Sequence, residues 1–167
     1  MKVLVPVTAS HNSEVAVQHL VRRFMNDSAM EVHLMNVQRP LSRYVARFVP
    51  GRSVRDWHRK EADQALAPAR AILDRFGVPY AVHVELGDEA DCINELARRL
   101  HCDQIVLGTA RKNSLTRFVE SSVTNQVLEH ATVPVEVIAG DEISRWERYG
   151  IPAAIGAALA LWLAAAD

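Results

Sequence analysis

Cysteine is scarce in this chain of 167 residues: there are two, Cys92 and Cys102. They lack the Cys-x-x-Cys spacing and companion histidines of a zinc site, and they supply no disulfide framework, so the reducing cytoplasm is the expected compartment. A surplus of one charge is also missing, because 19 Lys and Arg meet 20 Asp and Glu for a formal net charge of −1. So balanced a chain has no overall field to hold a polyanion, and nucleic acid is not expected as a partner. No basic segment leading into an apolar stretch opens the chain; Met1 to Val7 is short and interrupted by Pro6, so secretion is not expected. Seven histidines are present, yet neither Gly-x-Ser-x-Gly nor His-Glu-x-x-His occurs. No catalytic residue and no metal ligand are therefore assigned, and His11, His58 and His130 are expected at the surface. Cys102 follows His101 directly, but adjacency along the chain does not align a thiolate with a base.

Short Val-rich runs alternate with helical periodicity. Lys2–Val7 reads as a buried parallel strand that turns at Thr8-Ala9-Ser10. Ser13 is placed to cap the next helix, whose stripe is Val17, Leu20, Val21 and Phe24. Met30–Val37 is the second strand. Residues 38–55 read as a long irregular loop, and a helix over 54–76 presents Leu66, Ala69, Leu73 and Phe76 on one face. Pro68 is expected to kink or split that helix, and Gly77 to stop it. In 80–86, Tyr80, Val82, Val84 and Leu86 alternate with more polar positions, the pattern of an edge strand with one better buried face. His83, on the other face, is expected to be solvated or hydrogen bonded.

Asp88 can cap a helix carrying Ile93, Leu96, Ala97 and Leu100, with Glu89 and Asp91 read as charges that complement its dipole rather than as a metal cluster. Asp103–Leu107 forms a strand ended by Gly108. A helix around 121–130 and a strand at Val133–Ile138 complete a β-α-β-α-β-α-β-α-β order. That order implies an α/β fold: an open, five-stranded parallel sheet with helices on both faces and its ligand site at the carboxyl ends of the strands.

Val3-Leu4-Val5-Pro6-Val7, the strand Val32–Val37, Gly108-Thr109 ahead of a Ser-Val helix start, and His130-Ala131-Thr132-Val133-Pro134-Val135 resemble, in order and spacing, the universal stress protein family over residues 1–139. The resemblance implies an adenine nucleotide alpha hydrolase-like fold, with a separate tail at 140–167. Many members look like ATP binders that use an Asp at the end of the first strand and a loop of the form Gly-x-x-Gly, nine intervening residues, then Gly-Ser or Gly-Thr. Gly108 and Ser122 match that pattern. Thr8 replaces the Asp, Arg111 the second Gly and Ser121 the third, while Val37 and Thr109 complete the implied nucleotide set. Arg111 would have to adopt a glycine conformation and would fill space meant for phosphate. Thr8 cannot present two acceptor oxygens to a ribose diol.

The leading expectation is thus a stress-response or regulatory domain, not an enzyme, that acts through protein contacts. Its nucleotide site is degenerate and no cofactor is assigned. The alternative keeps an ATP- or phosphate-binding sensor, since Arg111, Lys112 and Arg117 precede a helix start that favours anions; slow ATP hydrolysis is a remote third reading. The resemblance also implies a homodimer joined through the last strand, with Val133, Val135 and Val137. An unpaired apolar edge would be an aggregation hazard, which gives dimerisation an independent motive.

The tail carries a 16-residue apolar run, Ile151 to Ala166, read as a helix with Ile151, Ile155, Leu159, Trp162 and Leu163 on its packing face. A span needs about 20 such residues. Three partners for the tail stay open: its own domain, a second subunit, or a membrane. The expected location is cytoplasmic, with membrane association through the tail as one alternative.

Overall fold

The computed structural model describes residues 1–41, 47, 50–109 and 123–139. Its elements are β1 (Lys2–Pro6), α1 (His11–Asn26), β2 (Glu31–Gln38), α2 (Gly51–Arg75), β3 (Tyr80–Leu86), α3 (Glu89–Arg99), β4 (Gln104–Thr109), α4 (Val123–His130) and β5 (Val135–Ala139). The five strands form one sheet in the order β3-β2-β1-β4-β5, and each neighbouring pair is parallel.

Strands buried on both faces need continuous apolar runs, and β1 and β4 supply them. Alternate residues feed two cores. Val3, Val5, Val32, Leu34 and Val106 pack with α1 and α2 through Val17, Leu20, Leu66 and Leu73. Leu4, Met35, Ile105 and Leu107 pack with α3 and α4 through Ile93, Leu96 and Val127. Each fully buried Leu or Ile contributes about 1.5–3 kcal/mol by leaving water. The chain builds β1, β2 and β3 outward in one direction, then returns to place β4 on the other side of β1. The direction of the strand order therefore reverses between β1 and β4, where an open parallel sheet leaves a crevice.

Local departures from the sequence reading have identifiable causes. Ser10, not Ser13, is the N-cap of α1, with extended backbone and no side-chain cap bond. Ser13 lies inside the helix, buried, and its hydroxyl accepts from the Thr8 N–H at 3.0 Å. α2 starts at Gly51, earlier than expected, and runs unbroken through Pro68. Pro68 and Gln64, whose carbonyl loses its helical donor, both face solvent. Val84 and Leu86 are exposed rather than buried: α2 packs over β2, so only Tyr80 and Val82 of that row reach the core. Asp88 caps α3 as expected, accepting from the Ala90 and Asp91 N–H groups at 3.0 and 3.3 Å.

Val133 precedes β5 instead of belonging to it, and both Val133 and Val135 pack against the second core. Of the three residues expected along a dimer strand, Val137 alone is exposed. The tail with Ile151, Ile155, Leu159, Trp162 and Leu163 lies outside the described residues. Among the described residues no helix is long and apolar enough to cross a membrane.

Candidate nucleotide site at the crevice between β1 and β4

The carboxyl ends of β2, β1 and β4 stand side by side. Pocket walls there come from Val37 on β2, Thr8 just after β1, Gly108 on β4, Glu89 and Ile93 on α3, and Val123 and Thr124 on α4, around a cavity of about 110 Å³. Three of the residues expected from sequence, Thr8, Val37 and Gly108, are thus brought together. Thr109 is half-buried, pairs with Ala139 and does not line the cavity. Arg111, Ser121 and Ser122 lie outside the described residues.

Gly108 is required by proximity. A Cβ there would fall 2.0 Å from the Asn12 carbonyl oxygen, so the first turn of α1 rests directly on the end of β4. The β1 exit is held by several bonds. Val7 donates its N–H to the Met35 carbonyl at 2.7 Å, and the buried Asn36 amide donates to the Val7 carbonyl at 2.8 Å. Gln38 donates to the Asn36 side-chain oxygen at 2.6 Å. A rim so fixed can present backbone groups to a ligand at little further entropic cost. Beside it, the Thr8 hydroxyl lies 2.9 Å from that of Ser10 and 3.3 Å from that of Ser13.

Sequence reasoning missed Glu89. Its assignment as a dipole-complementing charge is incomplete: Asp88 does the capping, while Glu89 lines the cavity and takes an ion pair from the exposed Arg39 at 3.1 Å. The signal was faint, since an acidic residue after a capping Asp is ordinary in a first helical turn.

The cysteines are unsuited to nucleophilic work. Burial pushes both thiols up, with Glu85 the next contribution at Cys92, so neither is a ready thiolate. His101 takes the left-handed turn after α3, with φ of 52°, and is exposed, whereas Cys102 is buried. His11 and His130 are exposed as expected; His58 is half-buried. Among the described residues no three His, Cys, Asp or Glu side chains gather as metal ligands.

The family model described as the universal stress protein family matches residues 1–139. The chain belongs to the universal stress protein family. A curated family member, universal stress protein MJ0531 of Methanocaldococcus jannaschii, is 28% identical over 139 residues, covering 82% of this chain and 81% of its own. Among solved structures, protein MJ0577 superposes with a TM-score of 0.66 at 22% identity, over 84% of this chain and 96% of its own. A family protein from Arabidopsis thaliana with AMP bound gives a TM-score of 0.61 at 20% identity, over 84% and 92%. These structures share the five-stranded parallel fold of this universal stress protein domain.

Proposed function

We propose that this universal stress protein domain is a regulatory module without catalytic activity, that it takes an adenine nucleotide weakly in the crevice between β1 and β4, and that it acts through protein contacts as a homodimer joined along β5. The observation that carries the ligand half is the convergence of Thr8, Val37 and Gly108 on one pocket at the strand reversal. The AMP held by the Arabidopsis relative supports the choice of ligand. Weakness follows from Thr8, which offers one hydroxyl where a carboxylate would offer two acceptors, and from Arg111 and Ser121 in place of phosphate-cradling glycines. The non-catalytic reading is supported by the two thiols, which burial raises and so keeps from being ready nucleophiles. Val137, exposed on the outermost strand, supports pairing there.

Calorimetric titration of ATP into the full chain tests the ligand half. Saturable binding is expected, tightened about tenfold or more in a Thr8→Asp, Arg111→Gly, Ser121→Gly variant, because charged hydrogen bonds to the ribose are regained. Silence from the natural chain with binding by the variant leaves the site vestigial and function in the contacts alone. Silence from both removes the nucleotide from the proposal.

A further inference from the structure

A groove runs between α1 and α2 on their solvent side. Val21, Arg22 and Met25 of α1 and Ile72, Arg75 and Phe76 of α2 line it, around a volume of about 550 Å³. The apolar members stand one turn apart on each helix, Val21 with Met25 and Ile72 with Phe76, so they form two facing stripes. Met25 is 67% exposed and Phe76 45%. An enclosed space of about 150 Å³ holds one benzene ring, so the groove has room for roughly three large side chains. The charges in its lining are Arg22 and Arg75, and no acid stands among the lining residues.

The same chain carries a segment of matching chemistry. Ile151 to Ala166 is a run of 16 residues without a charge; its spacing sets Ile155, Leu159, Trp162 and Leu163 on one helical stripe, beside a row of Gly156, Ala160 and Ala164 that permits close approach. As a helix it is about 24 Å long, short of the roughly 30 Å of a bilayer core and equal in length to α1, also 16 residues. Residues 140–150 join it to the end of β5 at Ala139 and reach at most about 36 Å, which suffices to cross β4 and β1 and pass over α1. Asp167 follows the run and complements Arg22 and Arg75. A short tether holds a segment at about millimolar effective concentration, so a contact too weak to keep a separate molecule can still seat this one. We propose that the groove between α1 and α2 is the seat of the chain's own apolar run, with Leu159, Trp162 and Leu163 set against Met25 and Phe76.

Two measurements on the full chain test this seat. In Met25→Cys with Ala164→Cys, a short bismaleimide should join positions 25 and 164 within one chain, read as monomer mobility under denaturing conditions and mapped by mass spectrometry. Glu95→Cys with Ala164→Cys should stay unjoined, because Glu95 is exposed on α3, across the sheet from α1 and α2. Trp57→Phe and Trp146→Phe leave Trp162 as the one tryptophan of three. Its quenching by acrylamide should be slight, and should rise about threefold or more with Met25→Lys and Phe76→Lys, because seating the run would then bury two ammonium groups. Leu159→Lys with Leu163→Lys should open Trp162 equally, and those positions lie outside the folded domain, so misfolding of the domain cannot mimic the result. A link between two chains overturns the inference and gives the groove to a second copy's tail. Flotation of the natural chain with phosphatidylcholine and phosphatidylglycerol vesicles overturns it in favour of a membrane. It also fails if no link joins 25 to 164, if position 95 links as readily, or if Trp162 quenching is unmoved by the groove lysines.

Discussion

The sheet ends in two edge strands, β3 and β5, and the chain treats them differently. β5 is short, five residues, and is bolted inward by a polar cluster: Arg23 of α1 donates to Gln104 at 2.9 Å and to Glu136 at 2.7 Å, Gln104 donates to Glu136 at 2.9 Å, and His19 approaches the other Glu136 oxygen at 2.9 Å. β3 is longer, seven residues, and presents Val84 and Leu86 to solvent beside the Arg99–Glu85 ion pair. Its inward tie is a pair of imidazoles, His33 Nδ1 and His83 Nε2, 3.0 Å apart. One edge is pinned by opposite charges and left with a bare rim; the other is fenced by charge on its rim and pinned by two facing imidazoles. The difference teaches that edge protection and edge anchoring are separate tasks, and it is the ground on which the proposed pairing along β5 can be tested.

Four substitutions separate the edges. The largest effect is expected from Val137→Lys, which puts a charge on the rim of β5 and should convert the homodimer proposed above to monomer by light scattering at micromolar concentration, while Val84→Lys on β3 leaves the association state unchanged. The reverse pattern would move the interface to β3. Next comes Glu136→Ala, which leaves Arg23 and Gln104 without their shared acceptor and should cost about 2 kcal/mol in urea denaturation. Its counterpart on β3, Glu85→Ala, breaks a pair whose Arg99 is more than half exposed and should cost under about 1 kcal/mol. Equal costs would erase the contrast in anchoring.

Much of the fold was legible because its signals are redundant. Each buried strand is a continuous apolar run, each helix shows a stripe at helical spacing, and their alternation fixes a parallel sheet with its site at the strand reversal. What stayed illegible depends on distances between segments far apart in sequence. Nothing in the local pattern distinguishes Val82, which packs on the core, from Val84, which does not, because the difference is where α2 lies. Pro68 read as a break because propensity counts the lost bond and not the water that replaces it. Glu89 looked like one of three first-turn acids until α3 was placed against β2. His33 sits inside β2, and its partner is fifty residues away.

That partner gives the smallest and most specific prediction. His33 is buried on the sheet face, and its Nε2 lies 3.1 Å from Glu31 but out of line for a hydrogen bond. His83 has its pKa lowered first by burial, then by His33, with Glu85 opposing and Arg99 assisting. Two protons cannot sit comfortably on facing nitrogens 3.0 Å apart. A depressed folded pKa means that the unfolded chain binds the proton more readily, so stability is full above the unfolded value near 6.5 and declines as pH falls below it, levelling only at the folded value. The slope cannot exceed about 1.4 kcal/mol per pH unit for one proton. Urea midpoints measured between pH 7.5 and 5 should therefore fall for the natural chain and fall less steeply for His83→Gln, which keeps a hydrogen bond to His33 but no titrating ring. Parallel curves would mean that protonation of His83 costs the folded chain no more than the unfolded one, and that the anchoring of the β3 edge does not depend on it.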